Sequence, residues 1–185
     1  MEAVRAGIYI HIPFCLRKCG YCDFYSITDL SLKPLFLKAL AREVALAEPG
    51  ALVFDTIYFG GGTPSVLDPG EIGGITAALF DKFRFERPVE ITLEANPGTL
   101  TPAKLEGYRE VGVARLNIGV QSFRRENLEL LGRIHTAAEA GQCIEWAREA
   151  GFDNLGIDLI YGLPGQSRDD WLQDLSRAVD HRLEH

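Results

Sequence analysis

The sequence predicts an α/β protein built as a partial, TIM-like (β/α) barrel. Short β-branched segments alternate with segments of helical period, which predicts a parallel sheet covered by helices. About five such units fit into the 185 residues, whereas a closed eight-unit barrel needs about 250 residues. The unusual polar and sulfur-bearing residues follow strands, where parallel folds of this class carry their chemistry. We therefore expect an open barrel, truncated after about five strand–helix units.

Five segments have the length and composition of buried strands. They are short, apolar and rich in β-branched residues, and glycine, proline or asparagine follows most of them. Because the carboxyl ends of parallel strands meet at one rim, we expect the residues after these strands to lie close together. The five segments are GIYIHI (7–12), FDTIYF (54–59), VEITLEA (89–95), VARLNIGV (113–120) and FDNLGIDLIYG (152–162).

Helical periodicity fills the intervals between the strands. Residues 32–48 are helical in pattern and stop at Pro49-Gly50, and two further helices begin with a capping residue followed by proline, at Asp68 and at Thr101. The remaining helical segments are 124–133, 136–151 and 167–182. We assign 1–182 to one domain and interpret 183–185 (Leu-Glu-His) as a remnant of an expression tag, which we leave out of the fold prediction.

Composition and charge limit the functional classes. The formal net charge of −7 disfavours nucleic acid or an anionic membrane surface as a partner. No apolar run approaches the ~20 residues of a membrane span, and the first residues lack a signal-peptide pattern. Three of the four cysteines cluster, whereas a disulfide framework would spread and pair them. We expect a cytoplasmic protein, with Cys143 as an inert, buried helical thiol.

The segment CLRKCGYC places Cys15, Cys19 and Cys22 on one loop. Structural zinc usually takes four protein ligands, and His11 could complete a Cys₃His set from the preceding strand. A four-iron, four-sulfide cluster held by three thiolates instead keeps one iron open for a ligand from outside the protein. The amino and carboxylate groups of an amino acid could chelate that iron. We favour the cluster, with a structural zinc module as the alternative.

The motifs resemble those of a known family. CLRKCGYC resembles the signature of the radical S-adenosylmethionine (radical SAM) enzymes, and GGGTP resembles their glycine motif. Six stretches in order, from about residue 7 to 175, resemble one subfamily, which contains the oxygen-independent coproporphyrinogen III dehydrogenases and the HemW heme chaperones. They are YIHIPFC, IYFGGGTPS, LEANPGTL, RLNIGVQSF, LLGRIHT and GIDLIYGLPGQS.

The resemblance implies a [4Fe–4S] cluster with S-adenosylmethionine bound beside it. It implies that Cys15, Cys19 and Cys22 are the cluster ligands. Tyr9 matches a tyrosine near the methionyl part of the bound nucleoside, and Tyr21 matches an aromatic residue that contacts the adenine. A glycine motif brings bare backbone close to the methionyl amino group; its matching residues here are Gly61, Gly62 and Thr63.

Four polar residues complete the implied cofactor site. Glu94 matches a glutamate that contacts the nucleoside, and a carboxylate can accept both hydroxyls of a ribose. Arg133 could bind the methionyl carboxylate through a bidentate pair of hydrogen bonds. Asp158 lies among apolar residues in LGIDLIYG, so we expect a buried carboxylate that pairs with ribose hydroxyls or with Arg133. Gln121 also matches a residue near bound S-adenosylmethionine.

Phe24 bears on which relative the chain resembles more. The motif of the dehydrogenases has a fourth cysteine at the position that matches Phe24, whereas CDFYS resembles the motif of the HemW type. We therefore expect a heme chaperone that binds heme and transfers it to acceptor proteins, with any membrane contact made through those acceptors. S-adenosylmethionine cleavage stays open, and coproporphyrinogen dehydrogenase activity, through a 5′-deoxyadenosyl radical, is the alternative that we do not expect.

The resemblance also implies structure beyond this stretch of chain. The similar proteins continue into a further strand–helix unit and a carboxyl-terminal domain, where the HemW type carries a histidine-containing HNxxYW motif. We expect the fifth strand of an open barrel to be unpaired, which favours dimerisation.

Overall fold

Five parallel strands form one sheet in a computed structural model that describes residues 4–185. Each strand pairs with the next one along the chain, in the order β1–β2–β3–β4–β5. The strands are β1 (Val4–Ile12), β2 (Leu52–Gly61), β3 (Phe85–Ala95), β4 (Arg115–Gln121) and β5 (Asn154–Leu159). The predicted partial barrel is confirmed, and residues 1–3 of the predicted domain lie outside the described residues.

Helices follow the strands at the positions that the sequence predicts. They are α1 (Lys33–Leu46), α2 (Pro69–Lys82), α3 (Pro102–Glu110), α4 (Arg125–Leu130), α5 (Ala137–Glu149) and α6 (Arg168–Asp180). Side-chain caps fix several starts: the Thr101 hydroxyl accepts from the Lys104 amide at 3.2 Å, and the Ser167 hydroxyl accepts from the Asp170 amide at 3.1 Å. None of the helices within residues 4–185 combines the length and hydropathy needed to cross a bilayer.

The two faces of the sheet differ in character, because successive side chains of a strand point to opposite faces. One face packs on the helices and forms the core, with Ile57, Phe59, Leu93, Leu116 and Ile118 fully buried. The other face, which lines the open barrel, is polar and only partly covered. It includes Tyr9, His11, Tyr58, Glu94, Asn117 and Asp158.

Residues 183–185 lie against the outer edge of β5. The Ile157 amide donates to the His185 carbonyl at 3.2 Å, and the amides of Glu184 and His185 donate to the Leu155 carbonyl at 3.1 and 3.2 Å. The expectation of an unpaired fifth strand is therefore wrong over this stretch. Residues 183–185, which the fold prediction left out, therefore contact the sheet. Their origin as a tag remnant stays a prediction, and so does dimerisation.

Candidate functional site

The ends of all five strands converge on one cavity of about 330 Å³. Eleven of the twelve site residues predicted from the sequence line this cavity; Tyr9 does not. Those that line it are Cys15, Cys19, Tyr21, Cys22, Gly61, Gly62, Thr63, Glu94, Gln121, Arg133 and Asp158. Arg17, Lys18, Phe24, Asn96 and Asn117 also contribute to the wall.

The three clustered cysteines lie on a loop that is closed at its base. The Cys15 amide donates to the Ile27 carbonyl at 2.9 Å, and the Ile27 amide donates to the Pro13 carbonyl at 2.7 Å. Cys15 is buried, whereas Cys19 and Cys22 are partly exposed. The Cys22 amide donates to the Cys19 carbonyl at 3.2 Å, which turns the loop back between these two thiols. The fixed base and the internal turn hold the loop so that all three cysteines line the same cavity.

The glycine loop after β2 packs directly on the base of the cysteine loop. The Gly62 amide donates to the Ile12 carbonyl at 2.8 Å, and the Thr63 amide donates to the Phe14 carbonyl at 2.7 Å. A Cβ atom on Gly62 would lie 2.8 Å from the Phe14 carbonyl oxygen and 3.1 Å from the Cys15 sulfur. The Thr63 hydroxyl also donates to that sulfur, at 3.4 Å. Glycine is therefore required here by close approach between two loops of the protein itself.

Glu94 is held by two donors from β2. The Tyr58 hydroxyl donates to Oε1 at 2.7 Å, and the Gly61 amide donates to Oε2 at 3.2 Å. Burial raises the pKa of Glu94 above its ordinary value, although both hydrogen bonds oppose that rise. Tyr58 is a residue of the site that the sequence motifs did not predict. The available signal was the period of two, which places Tyr58 on the polar face of β2, beside the strand that carries Glu94.

Tyr9 faces the open barrel beneath the cavity. Its ring stacks on the ring of Tyr58 with centroids 6.0 Å apart, and its hydroxyl lies 3.3 Å from Nδ1 of His11. The other ring nitrogen of His11 lies 2.9 Å from the Tyr25 carbonyl. The predicted contact of Tyr9 with a methionyl group thus stays a prediction, and the structure places the residue as support for Tyr58.

Arg133 follows α4, and its side chain connects β4 with the cysteine loop. One terminal nitrogen donates to the Gly119 carbonyl at 2.6 Å, and the other donates to the Tyr21 hydroxyl at 3.3 Å and to the Cys19 sulfur at 3.6 Å. Burial raises the pKa of Tyr21, and the neighbouring guanidinium partly offsets this rise. Arg133 therefore fixes Tyr21 and brings a positive charge next to one of the thiols.

Asp158 is exposed, which corrects the expectation of a buried carboxylate. Its Oδ2 accepts a 2.9 Å hydrogen bond from the Asn117 side chain of β4. The apolar neighbours of Asp158 in the sequence point to the other face of the strand, and Asp158 itself points into the open barrel. Asn117 is a second residue of the site that sequence reasoning did not assign.

The arrangement of ligands bears on which metal group the cysteines fit. Within residues 4–185, no three Cys, His, Asp or Glu side chains are gathered around a point where one metal ion could sit. The zinc alternative therefore has no assembled ligand set in the described residues. A [4Fe–4S] cluster makes a different demand, because each thiolate binds a different iron of the cube. Three thiols on one loop that faces a cavity of this size fit that demand.

Comparison with known proteins shows which family the chain belongs to. The model of the Radical SAM superfamily matches residues 9–178. The heme chaperone HemW of Escherichia coli (strain K12) is 40% identical over 189 residues, and HemW of Haemophilus influenzae is 37% identical over 182 residues. The matches cover 97% and 94% of this chain and 48% of each relative, so the chain spans about half the length of these curated relatives.

Two solved structures show how far the likeness extends. Coproporphyrinogen III oxidase (HemN) from Escherichia coli, described as a radical SAM enzyme, superposes with a TM-score of 0.89 at 32% identity, over 99% of this chain and 43% of that one. Methylornithine synthase superposes with a TM-score of 0.63 at 14% identity, over 96% of this chain and 51% of that one, and shares the fold alone. The chain belongs to the radical SAM superfamily.

Proposed function

We propose that this chain is the cluster- and S-adenosylmethionine-binding core of a HemW-like heme chaperone. One observation carries the proposal: the cysteine loop, the glycine loop, Glu94 and Arg133 line a single cavity. The likeness to curated heme chaperones supports the further step, in which the longer protein binds heme and passes it to acceptor proteins. The site residues predicted from the sequence are part of this proposal.

The residues present fit a [4Fe–4S] cluster and S-adenosylmethionine. Cys15, Cys19 and Cys22 would hold three irons, and the fourth would take the amino and carboxylate groups of the methionyl part. When bound, this pair of cofactors supplies one-electron chemistry at the sulfonium. The protein contributes a hydroxyl donor to one thiol, from Thr63, and a guanidinium beside another, from Arg133.

The nucleoside would lie across the strand ends, where acceptors face the cavity. Glu94 keeps free lone pairs on both oxygens after its two contacts with β2, so it can accept the ribose hydroxyls. Asp158 and Asn117 present a second carboxylate and an amide on the neighbouring strands. Tyr21, positioned by Arg133, offers a ring for stacking on the adenine.

A dehydrogenase is the second candidate, and the superposition on HemN favours it. Phe24 separates the two. Phe24 lines the cavity and is 64% exposed. It matches the position at which the motif of the dehydrogenases has a cysteine. We favour the chaperone, because the thiol at this position is absent.

Anaerobic reconstitution with iron and sulfide, followed by EPR of the reduced protein with and without S-adenosylmethionine, tests the site. We expect a cluster signal that S-adenosylmethionine alters; an unchanged spectrum would contradict the open iron. Heme binding to the longer protein, followed by absorbance, tests the chaperone. Formation of protoporphyrinogen from coproporphyrinogen by that protein, measured by chromatography, would instead favour the dehydrogenase.

A further inference from the structure

The last residue of β4 has a backbone conformation that is uncommon for its type. Gln121 has a φ of 70°, in the left-handed region that residues with a Cβ atom rarely adopt. The pairing of β4 with β5 also shifts register between Ile118 and Gln121. Gln121 lines the cavity, so the strain lies within the proposed cofactor site. Such conformations persist only where surrounding contacts hold them.

The residues that follow Gln121 are held by a buried carboxylate on α6. Asp174 is fully buried. Its Oδ2 accepts from the Ser122 hydroxyl at 2.6 Å, and its Oδ1 accepts from the Phe123 amide at 2.7 Å. No Lys, Arg or His nitrogen within the described chain lies close enough to pair with this carboxylate. The negative charge is therefore compensated by hydrogen bonds to the turn.

The hydrogen bonding of Ser122 requires a carboxylate at position 174. The Ser122 oxygen already accepts from the Arg124 amide at 3.1 Å and from the Asn127 side chain at 3.0 Å. Two acceptor sites are thus in use, and the hydroxyl proton is free only to be donated. An asparagine in place of Asp174 would present an amino group either to this saturated oxygen or to the Phe123 amide. Either orientation sets a donor against a donor.

Further contacts from α6 act on the same turn. Arg177, one helical turn after Asp174, donates to the Phe123 carbonyl at 2.9 Å. Both backbone polar groups of Phe123 therefore bond to α6. Arg124 reaches the same helix through Gln173 at 3.0 Å and Asp170 at 2.9 Å. The helix thus holds residues 122–124 through side chains that do not line the cavity.

The held turn controls what faces the cavity. The side chain of Gln121 folds back over Gly119, where an added Cβ would lie 2.9 Å from its amide nitrogen and 3.4 Å from a terminal nitrogen of Arg133. The Gly119 carbonyl is also the acceptor that anchors Arg133. A relaxed turn would displace the Gln121 amide and crowd the guanidinium beside it.

We infer that Asp174 is a positioning residue for the S-adenosylmethionine site, acting through the left-handed turn at Gln121. This inference rests on the proposed function for the ligand, whereas its structural half, the holding of the turn, does not. Asp174 lies outside the set of residues that line the cavity, so its effect on binding is transmitted through Ser122 and Phe123.

Four forms of the protein test the inference: wild type, Asp174→Asn, Asp180→Asn and Arg177→Met. Asp180→Asn is the matched control, since it removes the same charge from an exposed site on the same helix. Each is reconstituted anaerobically, and iron content, S-adenosylmethionine affinity by equilibrium dialysis and amide hydrogen exchange of residues 119–124 are measured. We expect Asp174→Asn to weaken binding and to speed local exchange by about tenfold or more, because a charge-assisted hydrogen bond is lost. Iron content should match that of wild type and of Asp180→Asn.

Each outcome decides the inference. If folded, iron-loaded Asp174→Asn binds S-adenosylmethionine as tightly as wild type, the inference is wrong. If Asp174→Asn does not fold, Arg177→Met decides, since it releases the Phe123 carbonyl without leaving a buried charge; a smaller change in the same direction supports the inference and no change refutes it. If wild type does not bind S-adenosylmethionine, the proposed function fails. Exchange at residues 119–124 then decides alone whether α6 holds the turn.

Discussion

The Tyr58 hydroxyl donates a 2.7 Å hydrogen bond to the Glu94 carboxylate, across the ends of two neighbouring strands. With the Gly61 amide on the second oxygen at 3.2 Å, the carboxylate is held in one orientation at the cavity wall. Burial raises the pKa of Glu94, and the two donors limit that rise because they bond to the charged form. Tyr58 thus helps to orient the proposed ribose acceptor and, against the effect of burial, keeps the pKa of Glu94 lower than it would otherwise be.

Replacing Tyr58 with phenylalanine should move the pH dependence of S-adenosylmethionine binding. Loss of the hydroxyl removes an interaction that lowers the pKa of Glu94, so its pKa rises further and the carboxylate is protonated at a higher pH. The acidic limb of the affinity–pH profile should therefore shift to higher pH. Equilibrium dialysis between about pH 5 and pH 8 measures it, with Tyr161→Phe, at an exposed site, as the control. Superimposable profiles would refute the role of Tyr58.

The fold could be predicted because its signals are local. Alternating strand and helix patterns, with caps at Asp68 and Thr101, set the order of the elements. A parallel sheet then brings the strand ends together whatever the details of packing, which is why the cysteine loop, the glycine loop and Glu94 were expected at one rim. That expectation needed only connectivity and strand direction.

The contacts within the site could not be predicted, because they depend on which face each side chain occupies. Asp158 looked buried from its apolar neighbours, yet it points into the open barrel and pairs with Asn117. Tyr9 stacks on Tyr58 rather than reaching the cavity wall. Asp174 lies in an otherwise polar helix, and nothing in its local sequence separates it from the exposed Asp180.

The buried histidine His135 should make the protein less stable in acid. Its Nε2 lies 3.1 Å from the Val120 carbonyl, and burial, with the nearby Arg133 charge, lowers its pKa from 6.5 to about 4. As the pH falls from 6.5 towards 4, the unfolded chain binds a proton that the folded chain does not. The free energy of unfolding should thus fall by up to about 3 kcal/mol over that range. The stability gap between wild type and His135→Gln should shrink with falling pH in urea titrations; a gap independent of pH would contradict this.

Changing Gly62 to alanine should loosen the cluster without removing a ligand. The added Cβ would lie 2.8 and 3.0 Å from the carbonyl oxygens of Phe14 and Ile12, and backbone atoms cannot move aside cheaply. The loop would shift, and Cys15 with it. We expect lower iron content after reconstitution, whereas the control Gly74→Ala should retain iron, since its Cβ meets nothing within 4 Å and alanine favours a helix. Equal iron in both variants would show that the close packing is not needed.

The four cysteines should separate into three ligands and one core residue. Cys143 is 2% exposed on α5, its thiol donates to the Pro97 carbonyl at 3.3 Å, and burial raises its pKa to about 11. It therefore stays protonated and away from the cavity, whereas Cys19 faces it. Cys19→Ser should abolish the cluster, because a serine hydroxyl keeps its proton where a thiol yields its own to a metal. Cys143→Ser should leave iron and sulfide per protein near the wild-type values. Equal loss in both variants would mean four cysteine ligands and no open iron for S-adenosylmethionine, and the proposed site would be wrong.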